Sequence, residues 1–285
     1  MNSHQIKLQP NQANSILNNI KSKYLVKLIF DNLKIHKTLK IIKYNKIIQN
    51  RIEKTKNDYK DYSKIIIELI PYPNIFGKFI NVPSKEEQYF YIYFDKGKER
   101  IKNNYLTSRD KVSKIKIIIT NEVTSFSGLF EDCESIQIIH FTHFFRNNIT
   151  NMSRLFSWCT SLKEINLNNF NTDNVTDMSC MFAGCSSLSK IIFSDFDTSN
   201  VTDMSYMFSG CNSLRELNLS NFRTNNVTNM TSMFNFCDNL IDLNISNFNM
   251  NNVIFMNDMF NGCSIRLINK IRIENININD EAFIN

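Results

Sequence analysis

From residue 123 onward the apolar positions recur as one phrase. VTDMSCMFAGCSSL begins at Val175, VTDMSYMFSGCNSL at Val201 and VTNMTSMFNFCDNL at Val227, a period of 26 residues. The same period reaches Ile149 and Val123 upstream and Val253 downstream. In register, one column reads Cys133, Cys159, Cys185, Cys211, Cys237 and Cys263, and three residues earlier stands Phe130, Phe156, Phe182, Phe208, Phe234 and Phe260. A third column is Phe126, Met152, Met178, Met204, Met230 and Met256. After each Cys comes an LxxLxLxxF phrase, whose alternation predicts a short strand with one buried face. Met204, Met207 and Phe208, at i, i+3 and i+4, predict a single helical turn, with Thr202 or Asp203 as N-cap and Gly210 as its stop. Each unit therefore reads as one strand, one turn of helix and two polar corners.

A single unit of this size cannot bury its own apolar face, so the units must stack on one another. Over roughly residues 115–278 the repeated MSxMFxGCxSLxxLxLSNFxTxNVT words resemble the BspA-like leucine-rich repeat family. That resemblance implies an α/β fold: a leucine-rich-repeat-type solenoid with one short parallel strand and one helical turn per coil, six coils in all, preceded by a small α+β N-terminal domain. It also implies a binding scaffold, without naming a ligand. The last coil departs from the phrase, because Arg266 stands where Leu is expected. A two-residue insertion after Cys263 restores it as Ile268, Ile271, Ile273 and Ile276, so a last strand is expected there.

The first half of the chain has a different texture. Residues 14–56 read as helices, with Leu25, Leu28 and Ile29 on one face and Ile41, Ile42, Ile47 and Ile48 more loosely on another. The stretch from Ile20 to Ile52 distantly resembles an F-box, through Ile29-Phe30, Leu33, Leu39 and Lys46. Such a segment would imply an adaptor recruiting ubiquitin-ligase machinery, although the expected Pro is missing and a helical bundle explains the pattern as well. KIIIELI, KFINV and YFYIYF then predict two or three strands, with Asp95-Lys96-Gly97 as a hairpin turn. The domain reading is a basic helical region at 1–60, a β-rich segment or N-terminal cap at 61–114, and the repeats at 115–285.

Composition changes this picture in two ways. The net charge of +6 hides a split: residues 1–122 carry 24 Lys+Arg against 11 Asp+Glu, or +13, and residues 123–285 carry 9 against 16, or −7. The basic half reads as a solvated lysine-rich surface rather than a nucleic-acid or membrane interface, since no aromatic-plus-Arg phrase accompanies it. No run of apolar residues is long enough to span a membrane, and MNSHQIKLQPNQANS lacks a basic start followed by an apolar stretch. A cytoplasmic location is expected, with the cell surface as the alternative.

Candidate chemistry is sparse. The six aligned thiols form a line rather than converging on a point, so they read as a buried free-thiol ladder and not as a metal centre; Cys180 lies outside it. The Asn-x-Ser/Thr words at Asn148, Asn151, Asn174, Asn200, Asn218, Asn226, Asn229 and Asn244 arise from the repeat itself and read as turn and capping residues. No nucleophile and base stand at a recognisable spacing, so no catalytic residue, metal ligand, cofactor or small-molecule substrate is expected. What is left is a surface. Between the buried strand positions lie Glu164, Lys190, Glu216 and Asp242 in one outward column and Asn166, Ile192, Asn218 and Asn244 in the next. Trp158 and Phe236 break a column otherwise rich in Gly. The function expected is a protein-interaction scaffold binding unidentified partners through the strand face, with a surface adhesin or antigen and an F-box-like adaptor as alternatives.

Overall fold

The protein is described here by a computed structural model, in which residues 20, 22, 25, 26, 29, 45–52, 63–120, 123–144, 148–168, 170–193, 196–274 and 278–283 are described. The chain divides into two compact units, Met1–Lys64 and Ile65–Asn285. In the first, α1 (Lys46–Arg51) starts at Asn45, whose side chain accepts the Ile48 N–H at 3.1 Å. Val26, Ile48 and Ile52 are buried together, with Ile20 and Ile29 packed against them. Of the F-box-like positions, Ile29 belongs to this cluster and Lys46 opens α1; Phe30, Leu33 and Leu39 lie outside the described residues.

The second unit starts with β1 (Ile65–Pro71), β2 (Gly77–Lys78), β3 (Phe90–Phe94), β4 (Tyr105–Leu106) and β5 (Ile115–Ile119). The repeats then contribute β6 (Ile136–His143), β7 (Glu164–Asn166), β8 (Lys190–Ile192), β9 (Glu216–Asn218) and β10 (Asp242–Asn244). A six-stranded sheet runs in the order β3-β5-β1-β6-β7-β8. Its first half is antiparallel, with β1 between β5 and β6, and its second half is parallel, β6 to β7 to β8. β9 and β10 form a separate parallel pair. Alternation sets the faces: Ile65, Ile67 and Leu69 of β1 and Ile115, Ile117 and Ile119 of β5 are fully buried, as period-2 strands require. The turn at Asp95-Lys96-Gly97 forms, with Gly97 N–H donating to Phe94 C=O at 2.9 Å. The returning chain, however, meets β3 only at the Ile92–Ile101 bridge; β3 takes its full partner in β5.

The segment expected to be a helical turn is the main surprise. In the repeat from Val201, the N–H groups of Met204, Tyr206, Phe208 and Gly210 donate to the carbonyls of Asn229, Thr231, Met233 and Asn235 in the next repeat, at 2.8–2.9 Å. The intervening N–H groups of Met207, Ser209 and Cys211 donate to Met204, Tyr206 and Phe208, three residues back in their own repeat. Alternate amides thus serve the neighbouring repeat and local turns, and no α-helical i→i−4 bond forms. The chain manages this by entering the left-handed region at Tyr206 (φ 56°) and Gly210 (φ 72°). The same step recurs at Arg154, Cys180, Ser232 and Asp258, and at Trp158, Gly184, Phe236 and Gly262.

The expected α/β class, a leucine-rich-repeat-type solenoid with a helical turn in every coil, is therefore corrected. The architecture is mainly β, built on a mixed sheet, and the turn segments are hydrogen-bonded ladders without helix. The i, i+3, i+4 spacing of Met204, Met207 and Phe208 misled because consecutive three-residue turns bury the same positions; all three are fully buried. A second correction concerns the last repeat. Where a strand was expected through Ile268, Ile271, Ile273 and Ile276, the chain forms α2 (Ile265–Glu274), which buries Leu267, Ile268 and Ile271 and leaves Ile273 82% exposed; Ile276 lies outside the described residues.

The core is a set of aligned columns. The rings of Phe130, Phe156, Phe182, Phe208, Phe234 and Phe260 stack at 5.3–5.8 Å between centroids and within 18° of parallel. Phe283, from the short turn Asp280–Phe283, continues the stack at 5.3 Å. That turn also accepts the Asp258 and Phe260 N–H groups at Glu281 C=O and Ala282 C=O, 2.9 and 2.8 Å away. It thus provides the carbonyls and ring that a further repeat would. At the other end, Asn81 donates to Gly128 C=O and Glu131 C=O, and its own N–H bonds Leu129 C=O.

Candidate partner-binding face

In β7, β8, β9 and β10 the central residue points inward and its neighbours outward, so period-2 alternation creates the exposed columns. Glu164 stands directly beside Lys190, and Asn166 beside Ile192; Glu216 stands beside Asp242, and Asn218 beside Asn244. All are exposed except Ile192, which is half-buried. The first two pairs and the last two belong to different sheets, because β8 and β9 are not joined by a ladder among the described residues.

Two features qualify these columns as contact groups. Asn166, Asn218 and Asn244 each use Oδ1 to accept the N–H two residues on, at 2.9, 3.0 and 3.1 Å. These Asx turns close the ends of the strands. Asp242 is bound by Lys270 of α2 at 2.8 Å, an exposed pair of small energetic weight. It nonetheless ties the end of the acidic column to the last helix.

The sheet carries the face further than the sequence indicated. Successive registers place Tyr93, Lys116, Glu68, His140, Asn166 and Ile192 in one row across six strands. Glu68 is paired with Lys114 at 3.0 Å. These N-terminal members were missed because the alternation of KIIIELI reveals a face but not which strand will lie beside it. Trp158 and Phe236, also predicted as contacts, are not part of this row. They sit on the turn ladder, exposed by 57% and 55%.

The remaining polar residues serve the stack. Asn200, Asn226 and Asn252 donate Nδ2 to backbone carbonyls of the preceding repeat, each at 2.6 Å. Asp177 and Asp203 accept from the Ser two residues on through both N–H and Oγ. The cysteines have an equally local role: Cys159, Cys185, Cys211, Cys237 and Cys263 donate Sγ–H to the Phe carbonyl of the preceding repeat at 2.9–3.2 Å. Burial pushes the Cys185 and Cys263 thiols up to about 12 and raises the others as well. Cys180 is only half-buried, and Arg154 partly offsets the effect of burial on it. Since thiolates are the reactive form, Ellman titration of the folded protein should detect Cys180 alone among the seven thiols, and urea should release the other six. Rapid modification of several thiols before unfolding would contradict the buried ladder. Among the described residues no group of three or more His, Cys, Asp or Glu side chains is placed to hold a metal ion, and no helix is long and apolar enough to cross a membrane.

Neither the curated proteins nor the solved structures yield a match. A family model does match, over residues 104–164, 124–239 and 150–274, which together span more than half of the chain and all of the central repeats. The chain belongs to the repeat-containing family described as Mycoplasma protein of unknown function, DUF285.

Proposed function

We propose that the protein is a non-enzymatic scaffold that binds protein partners through the outward face of its strands. The observation that carries this reading is the registered row from Tyr93 to Ile192, with the Glu164–Lys190 column beside it. It is a broad, shallow surface of mixed charge held on paired strands, and such surfaces favour specificity through charge pattern over deep burial. A photo-crosslinking residue at Asn218, used in the full-length chain, should give an adduct of discrete mass. Glu164→Lys combined with Glu216→Lys should abolish it, whereas Lys98→Glu, on the loop after β3, should not. An adduct indifferent to the double reversal would end the strand-face reading.

The BspA-like wording of the repeats supports a second form of the same idea, in which the bound partner lies outside the cell and the protein acts as a surface adhesin. Protease treatment of intact cells carrying a C-terminally tagged chain separates the two. Cleavage before lysis supports adhesion, and protection until lysis supports an internal scaffold.

A further inference from the structure

The turn ladder ends on an unmatched amide. In the column Asp132, Trp158, Gly184, Gly210 and Phe236, each N–H donates to a carbonyl of the next repeat, at Ser157, Ala183, Ser209, Asn235 and Asn261, 2.7–2.9 Å away. Gly262 is the next member of the column and has the same left-handed backbone, φ 75°. No repeat follows it. The closing turn Asp280–Phe283 takes the Asp258 and Phe260 N–H groups at Glu281 C=O and Ala282 C=O, but the Gly262 N–H has no acceptor among the described residues. Gly262 is half-buried rather than enclosed, and so is Asn261 before it. Together they form the chain's one Asn-Gly pair.

An asparagine side-chain amide is an electrophile for the backbone nitrogen that follows it. Once that nitrogen gives its proton to solvent it attacks Cγ, and a cyclic imide closes. The side-chain nitrogen leaves as ammonia, taking back a proton from solvent. Water then opens the imide at either carbonyl, so the sum is amide plus water giving carboxylic acid plus ammonia, as aspartate or isoaspartate. In a folded chain the step needs a nitrogen that is free to lose its proton and to pivot, with no side chain shielding it. Gly262 meets both conditions: it has no Cβ and no hydrogen bond to break. Asn235, at the same position one repeat earlier, meets neither. The Phe236 N–H after it is held by Asn261 C=O at 2.8 Å, and the Oδ1 of Asn235 is itself buried.

We propose that Asn261 is a self-modifying site, which converts to aspartate and isoaspartate in the folded protein and loosens the last repeat as it does so. The surrounding bonds give the reason for the loosening. Asn261 C=O accepts the Phe236 N–H, while just downstream Cys263 N–H donates to Phe260 C=O at 3.1 Å and Cys263 Sγ to Phe234 C=O at 3.2 Å. An isoaspartyl linkage carries the main chain through Cβ and Cγ of residue 261, one atom longer than before, and turns the former carbonyl into a free carboxylate. The Cys263 bonds then fall out of register with the ladder before them. The site lies on the turn ladder, so it stands or falls independently of the strand face.

The full chain, incubated folded in warm, mildly alkaline buffer, should accumulate isoaspartate in the peptide that contains Asn261, read by peptide mass spectrometry. Ser209→Asn supplies the control. It places the same dipeptide before Gly210, whose backbone is equally left-handed (φ 72°) but whose N–H is held by Asn235 C=O at 2.8 Å. Asn261 should convert roughly tenfold faster than the introduced residue, the factor expected when a backbone hydrogen bond must break first. In urea the two should react alike. As conversion proceeds, the urea midpoint of the wild-type chain should fall. Asn261→Ser, which installs the residue found at Ser157 and Ser209 in the same column, should keep its midpoint through the same incubation. Equal rates at the two sites in the folded chain overturn the proposal. So does an Asn261 that converts only in urea, or a converted chain whose midpoint equals that of the fresh one.

Discussion

Phe208→Ala should destabilise the second unit by about 3–5 kcal/mol, the usual cost of deleting a fully buried ring. The ring lies between Phe182 at 5.6 Å and Phe234 at 5.7 Å, nearly parallel to both, with Phe193 edge-on at 6.3 Å. No water-accessible path reaches it, since its exposure is 0%. The backbone bonds from Phe208 N–H to Met233 C=O and from Cys237 Sγ to Phe208 C=O do not need the ring, so the loss is one of packing. Because neighbouring repeats share their interfaces, hydrogen exchange should accelerate first in the repeats from Val175 and Val227. In urea, the midpoint should fall well below that of Phe236→Ala, which removes a ring of similar size from the surface. Equal midpoints for the two variants would refute the stacked core.

Removing residues 279–285 should have the second large effect. The Asp280–Phe283 turn covers the Phe260 ring and occupies the Asp258 and Phe260 N–H groups. Arg272 fixes it from α2, lying 4.5 Å from the Phe283 ring centre and 3.4 Å from Asp280. Without it, an apolar ring and two unpaired donors face solvent at the end of the stack, the situation that terminal capping segments prevent. The truncated chain should unfold earlier and scatter more light than the full chain at equal concentration. Phe283→Ala, which keeps the backbone bonds, should show a smaller loss of stability, about 2–4 kcal/mol. A truncated chain with unchanged midpoint and unchanged mass would mean that α2 alone closes the stack.

These two variants also show what could be read from the sequence. The Phe208 column was legible because a fixed period aligns residues that touch, whatever path the backbone takes between them. The path itself was not. Trp158, Cys180, Tyr206 and Phe236 adopt left-handed backbone without belonging to the residue types that advertise it, and the hints came from Gly128, Asp132, Gly184, Gly210, Asp258 and Gly262 in the same two columns. Hydrogen bonds 25 residues apart stabilise that conformation, so no local window contains its cause. The same limit applies at the C-terminus. Leu267, Ile268 and Ile271 suit a helix and Ile271, Ile273 and Ile276 suit a strand, and the helix prevails where Phe283 arrives to continue the ring stack. On the candidate face, Glu164 and Lys190 were legible from alternation. That Asp242 would meet Lys270, or that Glu68 and His140 would extend the row, depends on strand order and could not be.

The ladder that passes alternate amides from one repeat to the next has a consequence for heredity. From Met204 to Gly210 each laddered donor finds its acceptor 25 positions later, so a single-residue insertion within a ladder segment puts the pairs that straddle it out of step. Copying or deleting one whole unit of 26 residues leaves every remaining pair intact. Recombination between the near-identical words at Val175 and Val201 produces that kind of change. Lineages should therefore differ in the number of units and in the outward residues each unit carries, while the spacing inside a unit stays fixed.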